Sequence, residues 1–385
     1  MVIEKRKEQI IDKVTDNMLP YAHWLYSIPG IGSKTVKILL AQAGTPKEIY
    51  ELSCHMRVEE LAAQLSAHPR KQKLAEEIIN AGKNRNIQEE YETLEKKRIH
   101  FTCLGHAAYP KRLFHIPDAP YGFYVRGRLP AEENHSVAII GARNCSEYGR
   151  RMAYRFGEKL ASAGVQIVSG MARGIDGIGQ QAALEAGGYS LGVMGCGVDI
   201  CYPNENRNLY DMLCENGGVC SEYLPGTLPR SSLFPPRNRI ISALSDIVLV
   251  VEAKNRSGTL ITVDMALEQG KDVYAVPGRV TEALSEGCNR LLQQGAQVAL
   301  SPTDMIQAMT GKEADDKKGD FLLSDIQADI LQNLDDAPKS VEKIKEQVLL
   351  YSGRDISIQE VMNQLVYLSL SGWVKQIGNS YFMKA

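Results

Sequence analysis

The chain has 385 residues, 44% hydrophobic and 23% charged, and its 44 Lys and Arg face 46 Asp and Glu for a formal net charge of −2. That length predicts two or three domains, and the composition is that of a globular chain, which excludes a disordered, fibrous or bulk-basic polyanion binder. No long uncharged apolar run occurs and the start MVIEKRKEQIIDKV has no apolar signal region, so no membrane contact is expected and the chain reads as cytoplasmic.

Residues 1–100 read as a helical domain. Apolar positions recur three and four apart at Ile10, Ile11, Val14 and Met18, and again at Val36, Ile38, Leu39 and Leu40. Between two of these helices stands Ile28-Pro29-Gly30-Ile31-Gly32-Ser33-Lys34-Thr35. Gly30, Gly32, Ser33 and Lys34 fit a helix-hairpin-helix whose backbone amides meet a DNA phosphate, and they fit a plain helix–helix turn equally well.

From 101 to 310 the pattern changes to short apolar runs, each closed by Gly or a polar loop and followed by a helical stretch. The runs lie at 137–140, 165–168, 191–194, 218–220, 247–251, 273–276 and 298–300. Near-continuous apolar strands alternating with helices predict an α/β domain built on an extended, Rossmann-like, doubly wound and mainly parallel sheet. Residues 311–320 have no apolar period and read as a linker. Residues 321–385 show three helical patterns, near 322–334, 340–348 and 357–371, and then two β-like runs joined at Gly378-Asn379, a winged-helix order. From Asp320 to Ala385 six Lys and Arg face nine Asp and Glu. That excess of acid favours a protein contact or regulatory role over strong DNA reading.

Ligands of open α/β sheets bind at the carboxyl ends of the strands, so the loops there carry the candidate chemistry. The first is Gly141-Ala-Arg143-Asn-Cys-Ser146-Glu-Tyr-Gly149, in which Arg143 and Ser146 at a helix start suit a phosphate, or else make a tight turn with a solvated Arg. The second is Ser169-Gly170-Met-Ala-Arg173-Gly-Ile-Asp176. Ser169 and Gly170 permit close backbone approach and Arg173 adds charge, while Asp176 fits a cap or an Arg-orienting acceptor at least as well as a catalytic base. Tyr202-Pro203-Asn204-Glu-Asn206 lines the same edge.

The stretch 225–245 holds three Arg and no Lys, Asp or Glu. Arg230, Arg237 and Arg239 around Phe234 and Asn238 match what an unpaired strand needs, guanidinium groups on phosphates and a ring on a base. The alternative buries Phe234 and pairs Arg237 or Arg239 with Asp246 or Glu252. Lys254 then precedes Ser257, Gly258 and Thr259 at another helix start, a further phosphate edge or a simple cap.

Other chemistries find little footing. Walker A and GxGxxG patterns are missing, so no nucleotide cofactor is expected. The eight cysteines form no CxxC pair and read as reduced thiols without metal. Gly188-Tyr-Ser190-Leu-Gly192 spells GxSxG, yet Ser190 begins a strand where a nucleophile elbow follows one.

Taken together, Gly141-Ala-Arg143-x-x-Ser146-x-Tyr148-Gly149, Ser169 to Asp176, Tyr202-Pro-x-x-Asn206, Phe234-Pro-Pro-Arg-Asn-Arg-Ile-Ile241 and Ser257-Gly-Thr-Leu-Ile-Thr262 resemble the DNA-processing protein A family (DprA/Smf) over roughly residues 100–300. The resemblance implies a non-enzymatic protein that binds single-stranded DNA, dimerises through its Rossmann-like domain and helps load the RecA recombinase during natural transformation. It gives Arg143 to phosphate, makes Arg230, Phe234, Arg237 and Asn238 a basic and stacking wall, and lets Ser257 to Thr259 close the pocket. Where the family often has Lys ahead of Phe234, this chain has Arg230. The alternative class is a nucleotide-processing hydrolase with Asp176 or Glu252 as general base.

Overall fold

In the computed structural model, which describes residues 14–65, 70–311, 324–370, 373–378 and 380–384, the N-terminal apolar periodicity becomes six helices. They are Leu19–Tyr26 (α1), Ser33–Ala43 (α2), Pro46–His55 (α3), Val58–Gln64 (α4), Lys71–Asn84 (α5) and Ile87–Lys96 (α6). Thr45 and Glu48 close a capping box at the start of α3, satisfying two orphan amides of its first turn. Trp24, Leu25, Val36, Leu39 and Ile78 turn inward and share one core with Phe101 and Tyr124 of the following sheet and with Tyr121 beside it. The helical pattern expected at Ile10 and Ile11 and most of the expected linker, from 312 onward, lie outside the described residues.

Two strands rich in ring-bearing residues come next, His100–Cys103 (β1) and Gly122–Gly127 (β2), paired antiparallel with Phe101 opposite Tyr124. The alternating series follows: Ser136–Ile140 (β3), Glu147–Ser162 (α7), Gln166–Ser169 (β4), Ile175–Glu185 (α8), Ser190–Val193 (β5), Arg207–Asn216 (α9) and Gly218–Ser221 (β6). It continues with Phe234–Ala243 (α10), Ile247–Val250 (β7), Gly258–Glu268 (α11), Asp272–Ala275 (β8), Glu286–Gln293 (α12), Gln297–Val298 (β9) and Pro302–Thr310 (α13).

The sheet has nine strands in the order β1-β2-β6-β5-β4-β3-β7-β8-β9. Strands β3 to β9 run parallel, and β1 and β2 extend the sheet antiparallel beyond β6. Every residue of β3, β4, β5 and β7 is buried, as the apolar runs require of strands covered on both faces. One face packs on Ala153, Phe156 and Leu160 of α7, the other on Ile240 and Ile241 of α10 and Val263 of α11. Helices α7 and α8 meet backbone to backbone, since a Cβ on Gly157 would stand 2.3 Å from the Gly179 carbonyl oxygen.

By compactness the chain divides into Met1–Ala314 and Asp315–Ala385. The second unit holds Asp325–Gln332 (α14), Lys339–Ser340 (β10), Val341–Ser352 (α15), Ile358–Leu370 (α16), Val374–Ile377 (β11) and Tyr381–Lys384 (β12). Ile330, Ile344, Val361, Leu365 and Phe382 form its own core, and its sheet order is β10-β12-β11. This arrangement is compatible with a winged helix, with β10 a strand that the sequence pattern did not announce. Among the described residues no helix is long and apolar enough to cross a membrane.

Candidate functional site

Strand β3 lies between β4 and β7, and the chain reverses its winding there: β3 to β6 step one way, and β7 returns to the other side of β3. The helices that follow β3 and β7 cover opposite faces, so the carboxyl ends of these two strands open a crevice.

One side of that crevice is closed by the protein itself. Glu252, buried just past β7, accepts the Ser146 N–H at 2.9 Å and the Ser146 hydroxyl, while Ser146 Oγ accepts the Gly149 N–H at 3.1 Å. A carboxylate thus sits where the first helix of this fold class offers its positive end to a phosphate. Gly149 makes the approach possible, because a Cβ there would lie 2.3 Å from the Glu252 carboxyl. Ser146, expected at a phosphate, is instead the N-cap of α7 and the partner of Glu252.

Across the crevice lies a pocket of about 410 Å³. Arg143, Asp176, Phe234, Arg237, Asn238, Ser257, Gly258 and Thr259 line it, drawn from four separate stretches of sequence. Arg143 is exposed and has no ion-pair partner among the described residues. Arg237 forms the buried wall: it is 4% exposed, donates to the Val193 carbonyl, and carries its guanidinium 5.8 Å from the centre of the Phe234 ring. Its Nε is buried without a hydrogen-bond partner among the described residues. Gly170 makes room for it, since a Cβ there would fall 2.2 Å from Arg237 Nη1.

Asp176 faces Arg237. It accepts the Gly170 N–H at 3.2 Å, and burial pushes its carboxyl up against the opposing pull of Arg237 and of the Gly141 and Gly170 amides. Burial in turn pulls the Arg237 guanidinium down, countered by Asp176, and nearby Arg143 adds repulsion. The three charges therefore belong to one electrostatic unit. An Asp176 carboxylate held by two amides and an arginine fits the orienting role better than that of a general base. At the far wall Ser257 Oγ accepts the Thr259 N–H at 3.1 Å and caps α11.

Phe234 has a ring partner. Tyr202 lies 5.4 Å from it at 31° and is 43% exposed, so a second, more exposed ring stands beside the one that lines the pocket. The Tyr202-Pro203 loop was expected at this edge, but the ring pairing has no signature in sequence. Gly195 supports it, as a Cβ there would strike the Phe234 ring at 2.6 Å.

Other expected residues stand elsewhere. Arg239 is withdrawn from the site: Nη1 and Nη2 reach Glu222 at 3.0 and 2.7 Å, and Nε reaches Asp118 at 2.7 Å. The partners considered from sequence are occupied otherwise, Asp246 by Arg112 and Glu252 by Ser146. Ser169 is fully buried, where it donates to the Ile139 carbonyl at 2.6 Å and lies beside Asp176. Arg173 pairs with Glu205 in a neighbouring trough. Arg230 and Lys254 are exposed and unpaired among the described residues, but neither lines the pocket.

In the N-terminal turn, Gly30 takes a φ of +82° and Gly32 caps α2. Ser33 Oγ accepts the Tyr121 N–H at 2.9 Å, so this serine ties the turn to the sheet, while Lys34 is exposed. Ser190 donates to the Ile167 carbonyl inside the sheet. Among the described residues no cluster of three His, Cys, Asp or Glu is placed to hold a metal.

The sequence pattern of the DNA recombination-mediator protein A family matches residues 100–310. The chain belongs to this family. It is 36% identical to Protein Smf of Escherichia coli over 307 residues, covering 77% of this chain and 80% of the relative. It is 42% identical to DNA processing protein DprA of Streptococcus pneumoniae over 198 residues, 51% of this chain and 70% of the relative. The crystal structure of DNA processing protein A from Streptococcus pneumoniae superposes with a TM-score of 0.62 at 30% identity, covering 77% of this chain and 98% of that one. A structure of DNA processing protein A from Helicobacter pylori, described for its single-stranded DNA binding mode, matches with a TM-score of 0.50 at 31% identity, over 55% of this chain and 95% of that one. The mainly parallel sheet is thus a fold shared with these relatives.

Proposed function

We propose that this chain is a single-stranded DNA-binding recombination mediator that holds its ligand in the switch-point pocket, protects it, and helps pass it to the RecA recombinase during natural transformation. One observation carries the reading: Arg143, Phe234 with Arg237, and Ser257, from three separate stretches of a chain of net charge −2, line a single pocket. Phosphates meet Arg143 and the amides at the start of α11, and a base lies against Phe234 and Tyr202, a stacking worth about 1–3 kcal/mol. A concave site with one ring in its wall and a second beside it suits an unpaired strand, whose bases are free to splay, better than a duplex. The Helicobacter pylori relative supports the choice of ligand and the family's description supports the mediator role.

The chain acts without catalysis of its own, in the cytoplasm, as a homodimer joined through the sheet-bearing unit. Support for the dimer comes from the apolar side chains Leu267, Val298 and Leu300, exposed at and beside the β9 edge of the sheet. Helix α16 of the second unit has Glu360 and no Lys or Arg, which favours a protein partner over a DNA groove for that unit.

The test is a binding titration of a labelled oligothymidine of about 20 nucleotides and of a duplex of equal length at two salt concentrations. The strand should bind more tightly, with affinity falling as salt rises. Equal affinity for both, or no salt dependence, overturns the reading.

A further inference from the structure

Arg143 lines two cavities. Beyond the pocket already described lies a trough of about 600 Å³ whose walls include Arg150 of α7, Arg173, and the amides Asn144, Gln181 and Asn208. Resting on the reading of the pocket as a strand site, we propose that the trough is a second subsite, which receives the sugar–phosphate backbone of the same DNA strand as it leaves the pocket across Arg143.

The charge of the trough is suited to a polyanion. Three arginines line it against one carboxylate, Glu205. That carboxylate pairs with Arg173, with both side chains more than half exposed, and Arg150 stands 3.7 Å from Glu147 with similar exposure. Exposed ion pairs of this kind contribute between zero and about 1 kcal/mol, so a phosphate displaces them at little cost. The amides supply donors without a repelling charge. Asn206, by contrast, donates to the Met171 and Ala172 carbonyls and shapes the wall rather than meeting a ligand.

The trough has no ring among its lining residues, whereas the first pocket has Phe234. The two subsites therefore divide the work: the first takes a base and its phosphate, the second takes backbone only and is indifferent to sequence. The internal carboxylate Glu252 enforces this route by filling the start of α7, so the strand passes over Arg143 instead of ending there.

The experiment compares oligothymidines of about three and about twenty nucleotides on the full chain, for the native protein, Arg150→Gln/Arg173→Gln, Arg150→Lys/Arg173→Lys and Arg143→Ala. The glutamine pair should lower affinity for the long oligonucleotide about tenfold and reduce the steepness of log K against log salt by about 1.4, two phosphates' worth, while the short one binds as before. The lysine pair should restore both. Equal losses at both lengths, or no loss at either, overturn the second subsite. Arg143→Ala separates the two claims: if it leaves both lengths unaffected, the strand site itself is wrong, and if it weakens both while the glutamine pair weakens neither, only the trough is.

Discussion

Arg239 and Glu222 form a two-pronged ion pair inside the sheet-bearing unit, with both nitrogens and both oxygens engaged and both side chains about nine-tenths buried. Asp118, from the loop ahead of β2, takes the remaining edge of the same guanidinium. This cross-link ties α10, which carries the Phe234 and Arg237 wall, to the antiparallel edge of the sheet. An arginine that sequence composition offers to DNA serves instead to hold the element that carries the pocket wall.

Arg239→Ala strands Glu222 as a buried carboxylate without its counter-charge. The expected cost is about 3 kcal/mol of folding stability, read by urea denaturation, with the salt dependence of DNA binding unchanged in the folded fraction. An altered slope at unchanged stability would mean that Arg239 touches the ligand.

Gly170→Ala acts the other way. Its Cβ would lie 2.2 Å from Arg237 Nη1, so the guanidinium must leave its place between Asp176 and the Phe234 ring. Affinity for an oligothymidine should fall about tenfold, equivalent to ~1.4 kcal/mol. Unfolding should shift less than binding does. Native affinity in Gly170→Ala would show that the position of Arg237 is immaterial.

Much of this was legible in the sequence, and the reasons are physical. The parallel strands declare themselves because burial on both faces leaves mostly apolar residues, as in Ile247-Val-Leu-Val250. β1 and β2 escape the same reading: His100-Phe-Thr-Cys103 and Gly122-Phe-Tyr-Val-Arg-Gly127 mix rings with polar residues and bring no alternating helix. Within the site, Arg143 and the α11 cap follow from strand-end glycine and hydroxyl patterns. The fates of Arg237 and Arg239, two residues apart on one helix, do not, because they depend on Asp176, Asp118 and Glu222 from other parts of the chain. Nor does local sequence pair Tyr202 with Phe234 or Glu252 with Ser146.

His23 gives the unit a pH response away from the site. Its ring is buried, with Nδ1 3.0 Å from the Tyr124 hydroxyl, and burial lowers its pKa from 6.5 to about 4. The unfolded chain therefore binds the proton first. The contribution of neutral His23 is fully present above pH 6.5 and is lost as pH falls toward 4, amounting to about 2 kcal/mol by pH 5. Thermal unfolding of the native protein should drop between pH 7 and pH 5 more steeply than that of His23→Gln. Parallel curves would contradict this.

The central claim is that Arg143 holds a phosphate of an unpaired strand. The most direct measurement is the slope of log affinity against log salt, between about 50 and 200 mM, for an oligothymidine of about 20 nucleotides with the native chain and with Arg143→Ala. The expected result is weaker binding and a slope shallower by about 0.7, one phosphate contact on a single strand. Identical slopes and affinities would contradict the account.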